Sequence, residues 1–253
     1  MKLKDTFAVH RSKTLVSLFR EKPFQGQHPG KAKVIIFGSD ANFPSDIEQH
    51  QRFLLLTQEY LEDGVAFWKK YHVHHPFIIN NSKKLSSEFS GVEHYPPQNK
   101  GGVPYHKTFE KLELPVDCAD CISFVELLDV PTEGSTEQDE FWKLFDPEHA
   151  KWLDKQISSA PPKLILLSAG VLKNIQIGKN SNNEIFKWVP QSVEAKSPSK
   201  SKIIRLCTIL DEKGYEVYKI PHFSSFIYLN KEMQKEILVG IRELIIRFCR
   251  FQL

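Results

Sequence analysis

The sequence predicts an α/β protein of three layers, α/β/α, around a central, mainly parallel four-stranded sheet. Two observations predict it. Four short apolar runs, at 34–37, 121–125, 164–167 and 215–220, are each bounded by Gly, Pro, Ser or Asp, as buried strands are. Amphipathic helical patterns lie between them, and strands alternating with helices imply a parallel sheet covered on both faces. A third observation sets the scale: 253 residues with 41% hydrophobic content suit a single domain spanning 1–253 with a substantial core.

In chain order, 6–21 reads as a basic N-terminal helix, with Phe7, Val9, Leu15, Leu18 and Phe19 as its apolar positions. The first strand follows, at 34–37. Ser45 suits the cap of a helix over 46–61, and 137–157 reads as one long helix carrying Phe141, Trp142, Leu144, Trp152 and Leu153. A helix over 202–212 should stop before Gly214, and Asn230 suits the cap of a closing helix over 230–251. Two polar stretches, 76–104 and 178–201, read as irregular, the second as a mobile surface insertion.

Composition bounds the function. The formal charge of +3 does not by itself announce a nucleic-acid binder, but residues 1–33 carry eight Lys and Arg against Asp5 and Glu21. Residues 110–154 are acidic and 163–205 basic, an asymmetry that permits one positive face and equally describes solvated charge runs. No apolar stretch approaches the roughly 20 residues of a membrane helix, so a cytoplasmic, membrane-free protein is expected. Cys118 and Cys121 form a C-x-x-C within an apolar run, and Cys207 and Cys249 fall in predicted helices, so all four read as buried free thiols. His72, His74 and His75 invite a metal, but no Cys or carboxylate set matches their spacing, and none is expected.

In open α/β sheets ligands bind in the loops at the carboxyl ends of the strands. That rule selects 38–44, 126–134, 168–173 and 221–229. The first loop reads Gly38-Ser39-Asp40-Ala41-Asn42-Phe43-Pro44 and the last Pro221-His222-Phe223-Ser224-Ser225-Phe226. These resemble the Gly-x-Asp-Pro-Tyr and His-Pro-Ser loops of the uracil-DNA glycosylase superfamily. The segment 102–112, Gly102-Val103-Pro104-Tyr105-His106-Lys107-Thr108-Phe109-Glu110-Lys111-Leu112, resembles that family's proline-containing loop leading into a helix, and Leu164-Ile165-Leu166-Leu167-Ser168-Ala169-Gly170 its third strand and tight turn. The chain departs from the family at Ala41 and Asn42, where Pro and an aromatic are usual. It departs again after the second strand, where Glu126 stands nearest to a base-reading Asn.

The resemblance implies a metal- and cofactor-free DNA glycosylase, monomeric, acting on a damaged or deaminated base. In it Asp40 would steady a cationic sugar or orient water, and His222 would hydrogen-bond the departing base. The implied base pocket is Gly38, Ser39, Asn42, Phe43, Phe77, Asn80 and Glu126, with Phe77 as the stacking floor. The implied DNA contacts are Pro104, Tyr105, Lys107, Gly170, Lys173, Ser224, Ser225 and Phe226, the last, with Phe223 as the alternative, as the side chain wedged into the base stack. Each has a plainer alternative: Asp40 a turn residue, His222 a packed loop histidine, Phe77, Phe223 and Phe226 core aromatics. A non-catalytic nucleic-acid-binding module and a nucleoside or nucleotide hydrolase remain the other readings of the same pattern.

Overall fold

The computed structural model describes residues 6–81, 95, 102–159, 163–181, 185, 186, 189, 204–209 and 215–250. Its strands are β1 (Ala8–Val9), β2 (Phe24–Gly26), β3 (Val34–Gly38), β4 (Ala41–Asn42), β5 (Ile122–Glu126), β6 (Pro131–Glu133), β7 (Leu164–Leu167), β8 (Ile204–Ile209) and β9 (Tyr215–Lys219). Its α-helices are α1 (Lys13–Glu21), α2 (Gln51–Glu62), α3 (Gly64–Tyr71), α4 (Val103–Glu110), α5 (Gln138–Leu144), α6 (Pro147–Ser158), α7 (Ala169–Ser181) and α8 (Lys231–Arg250).

The main sheet runs β2-β5-β3-β7-β9-β8. The four expected strands, β5, β3, β7 and β9, pair in parallel at its centre. Two further strands, β2 and β8, pair antiparallel at its edges. Pleating sends successive side chains to opposite faces, so each central strand feeds two cores. Ile35, Phe37, Ile165 and Leu167 pack with Leu153 and Ile157 of α6 and Val171 and Ile175 of α7. Val34, Ile36, Leu164 and Leu166 pack on the other side with Phe109 of α4 and Ile237, Ile241 and Ile245 of α8. Burial on both faces explains why these strands read as unbroken apolar runs.

Several expectations are corrected. The helix expected over 6–21 begins at Lys13, because Ser12 caps it by accepting from the Leu15 amide at 3.4 Å. The residues before it pair as β1 with β6. Ser45 caps no α-helix; a 3-10 turn at Ile47–Gln49 intervenes before α2, whose cap position is His50. The single helix expected over 137–157 is two. Asp146 accepts from the Glu148 amide at 2.9 Å and Pro147 starts α6, a pairing that ends one helix and opens the next. Within the helix expected at 202–212, the described residues Ile204–Ile209 form strand β8 instead. The closing helix is as expected, with the Met233 amide donating to Asn230 Oδ1 at 2.9 Å.

The insertion expected over 178–201 is partly core. α7 reaches Ser181, and Ile185, Phe186 and Val189 are buried against the sheet. Lys179 Nζ ties the segment down by donating to the Val189 carbonyl at 2.6 Å. The rest of that stretch lies outside the described residues. Among the described residues no helix is long and apolar enough to cross a membrane.

Candidate active-site cleft

The parallel strands end together, and their loops enclose a cleft of about 710 Å³. Gly38, Ser39, Asp40, Asn42 and Phe43 line it from the loop after β3; Glu126 lines it from the end of β5. Gly170 and Lys173 line it from the start of α7, and His222, Ser224 and Ser225 from the loop after β9. Tyr105 of α4 and Phe77 complete the expected residues that face it.

Backbone pairing holds the first loop in place. The Leu127 and Leu128 amides donate to the Gly38 and Ser39 carbonyls at 3.1 and 3.2 Å, and β4 pairs in parallel with β6. Asn42 is committed to this scaffold, since its Nδ2 donates to the Gly134 carbonyl at 2.6 Å. Asp40 stands between these pairings. The Thr132 hydroxyl donates to its Oδ2 at 2.7 Å and the Thr136 hydroxyl to its Oδ1 at 3.1 Å. Burial lifts the Asp40 pKa above the usual carboxylate range, and the donors from Thr132, Thr136 and Asn42 pull against that rise.

Glu126 pairs in register with Gly38. A Cβ at position 38 would lie 2.0 Å from Glu126 Oε2, so the glycine leaves the space that the carboxyl occupies. Glu126 Oε2 has no hydrogen-bond partner among the described residues. Burial, and then the charge of Asp40, push its pKa well above the usual range. Of these two carboxyl groups in one cleft, Glu126 is the more strongly driven to the neutral form.

His222 lines the cleft wall, with Nδ1 2.6 Å from Ser224 Oγ and its ring 5.2 Å from that of Tyr105. The Ser225 hydroxyl braces the turn through the His222 carbonyl at 2.7 Å. Desolvation by the surrounding wall lowers the His222 pKa, favouring the neutral imidazole.

The remaining expected residues fall elsewhere. Phe226 is 1% exposed and stacks on Phe223 within the core, so it does not project as a wedge. The exposed aromatic of that segment is Tyr228, at 84%. Pro104 and Lys107 belong to α4 but are not among the cleft-lining residues. The side chain of Asn80 lies outside the described residues. Phe77 is both floor and core, lining the cleft while stacking on Phe53 at 6.0 Å.

Sequence reasoning missed several cleft residues, chiefly Gln25, His75, His106, Thr136 and Asn174. His106 stacks on His75 with centroids 3.5 Å apart, and its Nδ1 lies 3.2 Å from His74 Nε2. His74 Nδ1 in turn lies 3.4 Å from Glu110 Oε2. Burial lowers the pKa of all three histidines, and their mutual proximity adds to this for His75 and His106. His72, by contrast, is exposed and ends α3 in the left-handed conformation at φ 57°. Among the described residues no group of three His, Cys, Asp or Glu side chains is arranged to hold a metal ion.

The cysteines are also closer than their spacing suggests. Cys249, on α8, comes beside Cys118 and Cys121, and the Cys121 thiol lies 3.9 Å from the Cys249 carbonyl. All three are free, and only Cys118 is fully buried. Cys207 lies on β8, a strand rather than a helix. No protein-family model matches the sequence, and no curated protein matches it.

Proposed function

We propose that the chain is a DNA glycosylase-like hydrolase that cleaves the bond between a flipped, damaged or deaminated base and its sugar without a metal or organic cofactor. The observation that carries this reading is that Asp40 and His222, from the loops after the first and last parallel strands, line one cleft of about 710 Å³. That volume is ample for a nucleobase and its sugar.

Cleavage moves the bonding electrons of the glycosidic bond onto the base, leaving positive charge on the sugar. Water then adds to the anomeric carbon and loses one proton. Asp40 is the group to face the cation and accept that proton, because a carboxylate with a raised pKa is a better base near neutral pH. A Ser224 hydroxyl that donates to His222 Nδ1 leaves the ring proton on Nε2, free to donate to the departing base. A neutral imidazole then stabilises the anion by hydrogen bonding rather than by full proton transfer. Phe77 supplies an apolar surface for the base, and exposed Lys173 a charge for a phosphate. Tyr228 takes the wedge role in place of Phe226.

The test uses oligonucleotides containing uracil, hypoxanthine, xanthine or a mismatch, as single strands and duplexes, followed by alkaline cleavage of abasic sites. If every strand survives a molar excess of enzyme, the hydrolase reading falls. Salt-sensitive DNA binding without base release, unchanged in Asp40→Asn, would instead identify a binding module. Turnover of free nucleosides with weak duplex affinity would identify a nucleoside hydrolase.

A further inference from the structure

Two buried polar atoms in the cleft wall are left without partners by the fold. Among the described residues, neither Gln25 Nε2 nor Glu126 Oε2 makes a hydrogen bond, and both side chains line the cleft. Such orphans are rare in folded proteins and call for a physical account. Here the account lies in the register. Gln25 of β2 pairs with Phe124 of β5, and Glu126 follows Phe124 by two residues. All three side chains therefore leave the same face of the sheet. Opposite Glu126 stands Gly38, which has no side chain to answer the carboxyl. The other orphans differ: Ser123 alternates to the far face and is not a cleft residue, and Glu133 holds Arg11 at 2.6 Å through its second oxygen.

We infer that Gln25 and Glu126 together read the polar edge of the bound base. The Gln25 amide donates to a ligand carbonyl, while Glu126, as an uncharged acid, donates its O–H to one ligand atom and accepts from a neighbouring N–H. The inference rests on the base-cleaving reading for the identity of the ligand. It adds a second specificity-determining residue, Gln25, and a protonation state for the first. The charge of Asp40 in the same cleft supports that state, since two adjacent carboxylates resist ionising together. The chemical class that fits is a heterocycle whose edge carries a carbonyl beside a ring N–H. A base lacking those groups would leave the orphans buried and unpaired.

The experiment measures binding of three free bases, uracil, hypoxanthine and purine, by ligand-observed NMR to the intact protein. Purine has neither the carbonyl nor the ring N–H of hypoxanthine at that edge. Wild-type protein should bind uracil and hypoxanthine about tenfold or more tightly than purine. Gln25→Met and Glu126→Leu should each weaken them by about tenfold to hundredfold, with circular dichroism confirming the fold. Glu126→Gln should stay within about threefold of wild type, because a carboxamide also offers one donor and one acceptor side by side. Equal affinity for purine, absence of binding at millimolar base, an unaffected Gln25→Met, or a Glu126→Gln as weak as Glu126→Leu would each overturn the inference. The purine comparison uses unaltered protein and so survives a variant that fails to fold. Base release from a uracil-containing strand is scored separately. Selective binding without release sinks the hydrolase reading alone, whereas release with unselective binding sinks the edge reading alone.

Discussion

Replacing Lys163 by Met should change how stability depends on pH while sparing the cleft. Lys163 precedes β7, at the end of the sheet opposite the cleft, and is fully buried. Its amine donates to the Pro29 carbonyl at 2.8 Å and the Ala32 carbonyl at 2.5 Å, fastening the turn before β3. Burial lowers its pKa from 10.5 to about 8. Between those two values the unfolded chain holds a proton that the folded chain has released, so stability rises with pH across this window. Below it both states are charged and the full penalty is present; above it neither is. A displacement of that size corresponds to about 2–3 kcal/mol.

Urea unfolding of wild type and Lys163→Met, from about pH 7 to about pH 10.5, isolates this contribution, because other titrating groups cancel in the difference. The advantage of wild type should widen by about 2–3 kcal/mol as pH rises. The variant should also lose stability at every pH, since two carbonyls lose their donor at about 1–3 kcal/mol each if left unsatisfied. Base release near neutral pH should be unchanged wherever the variant is folded. Parallel stability curves for the two proteins would refute the reasoning, because the amine would then titrate alike folded and unfolded.

Asp40→Asn should lower base release by about 10²–10⁴ while leaving DNA affinity close to wild type, measured by single-turnover kinetics beside a binding titration. The wild-type rate should rise with pH through an Asp40 ionisation lying above the ordinary aspartate range, and the residual rate of Asp40→Asn should lack that limb. Phe226→Ala should cost about 3–5 kcal/mol of stability, read by chemical denaturation, because it empties a core position. Tyr228→Ala should instead leave stability within about 0.5 kcal/mol of wild type and weaken activity on duplex more than on single strands. Asn230→Ala should cost about 1 kcal/mol through the lost α8 cap, by the same denaturation assay.

The parallel strands were legible because burial on both faces demands continuous apolar runs, which β3 and β7 show as Val-Ile-Ile-Phe and Leu-Ile-Leu-Leu. Edge strands escape that rule. β2 has three residues, Phe24, Gln25 and Gly26, too few for any period to register. The stretch Ile204–Ile209 interleaves apolar and polar residues within six positions and reads as helix or strand equally well. The break between α5 and α6 was available in Asp146-Pro147, a cap followed by a proline suited to a first turn, but the run of aromatics on either side masked it.

The site divides along similar lines. Asp40, Glu126 and His222 were legible because the loop-after-strand rule needs only the strand and the residue that follows it. Gln25 and His106 were not. Gln25 enters the cleft from an edge strand that precedes the first loop motif, and His106 from the body of α4. Phe226 was misplaced for a related reason. Spacing from His222 specifies its position along the chain, but the turn of the 3-10 segment Phe223–Tyr228 decides which ring faces inward.

The pairing of β3 with β5 ties these pieces into one device. Gly38 and Glu126 stand opposite each other, and two residues past Gly38 the chain delivers Asp40 to the same cleft. A Cβ at position 38 would meet the Glu126 carboxyl at 2.0 Å and force it to shift, so the glycine lets the acid hold this place in the cleft. Once both carboxyl groups share the cleft, their environments divide them. Asp40 keeps two hydroxyl donors that favour its ionised form, while Glu126 Oε2 has no partner among the described residues and faces the charge of Asp40. Such a division lets one acid serve as the charged group and the other as a neutral reader. It follows that removing the charge at position 40 must act on Glu126 as well. Asp40→Asn relieves one of the two influences holding Glu126 neutral, while burial, the larger, remains. Base selectivity should therefore outlast catalysis in that variant, the reverse of what a chain reading its ligand through Asp40 would do.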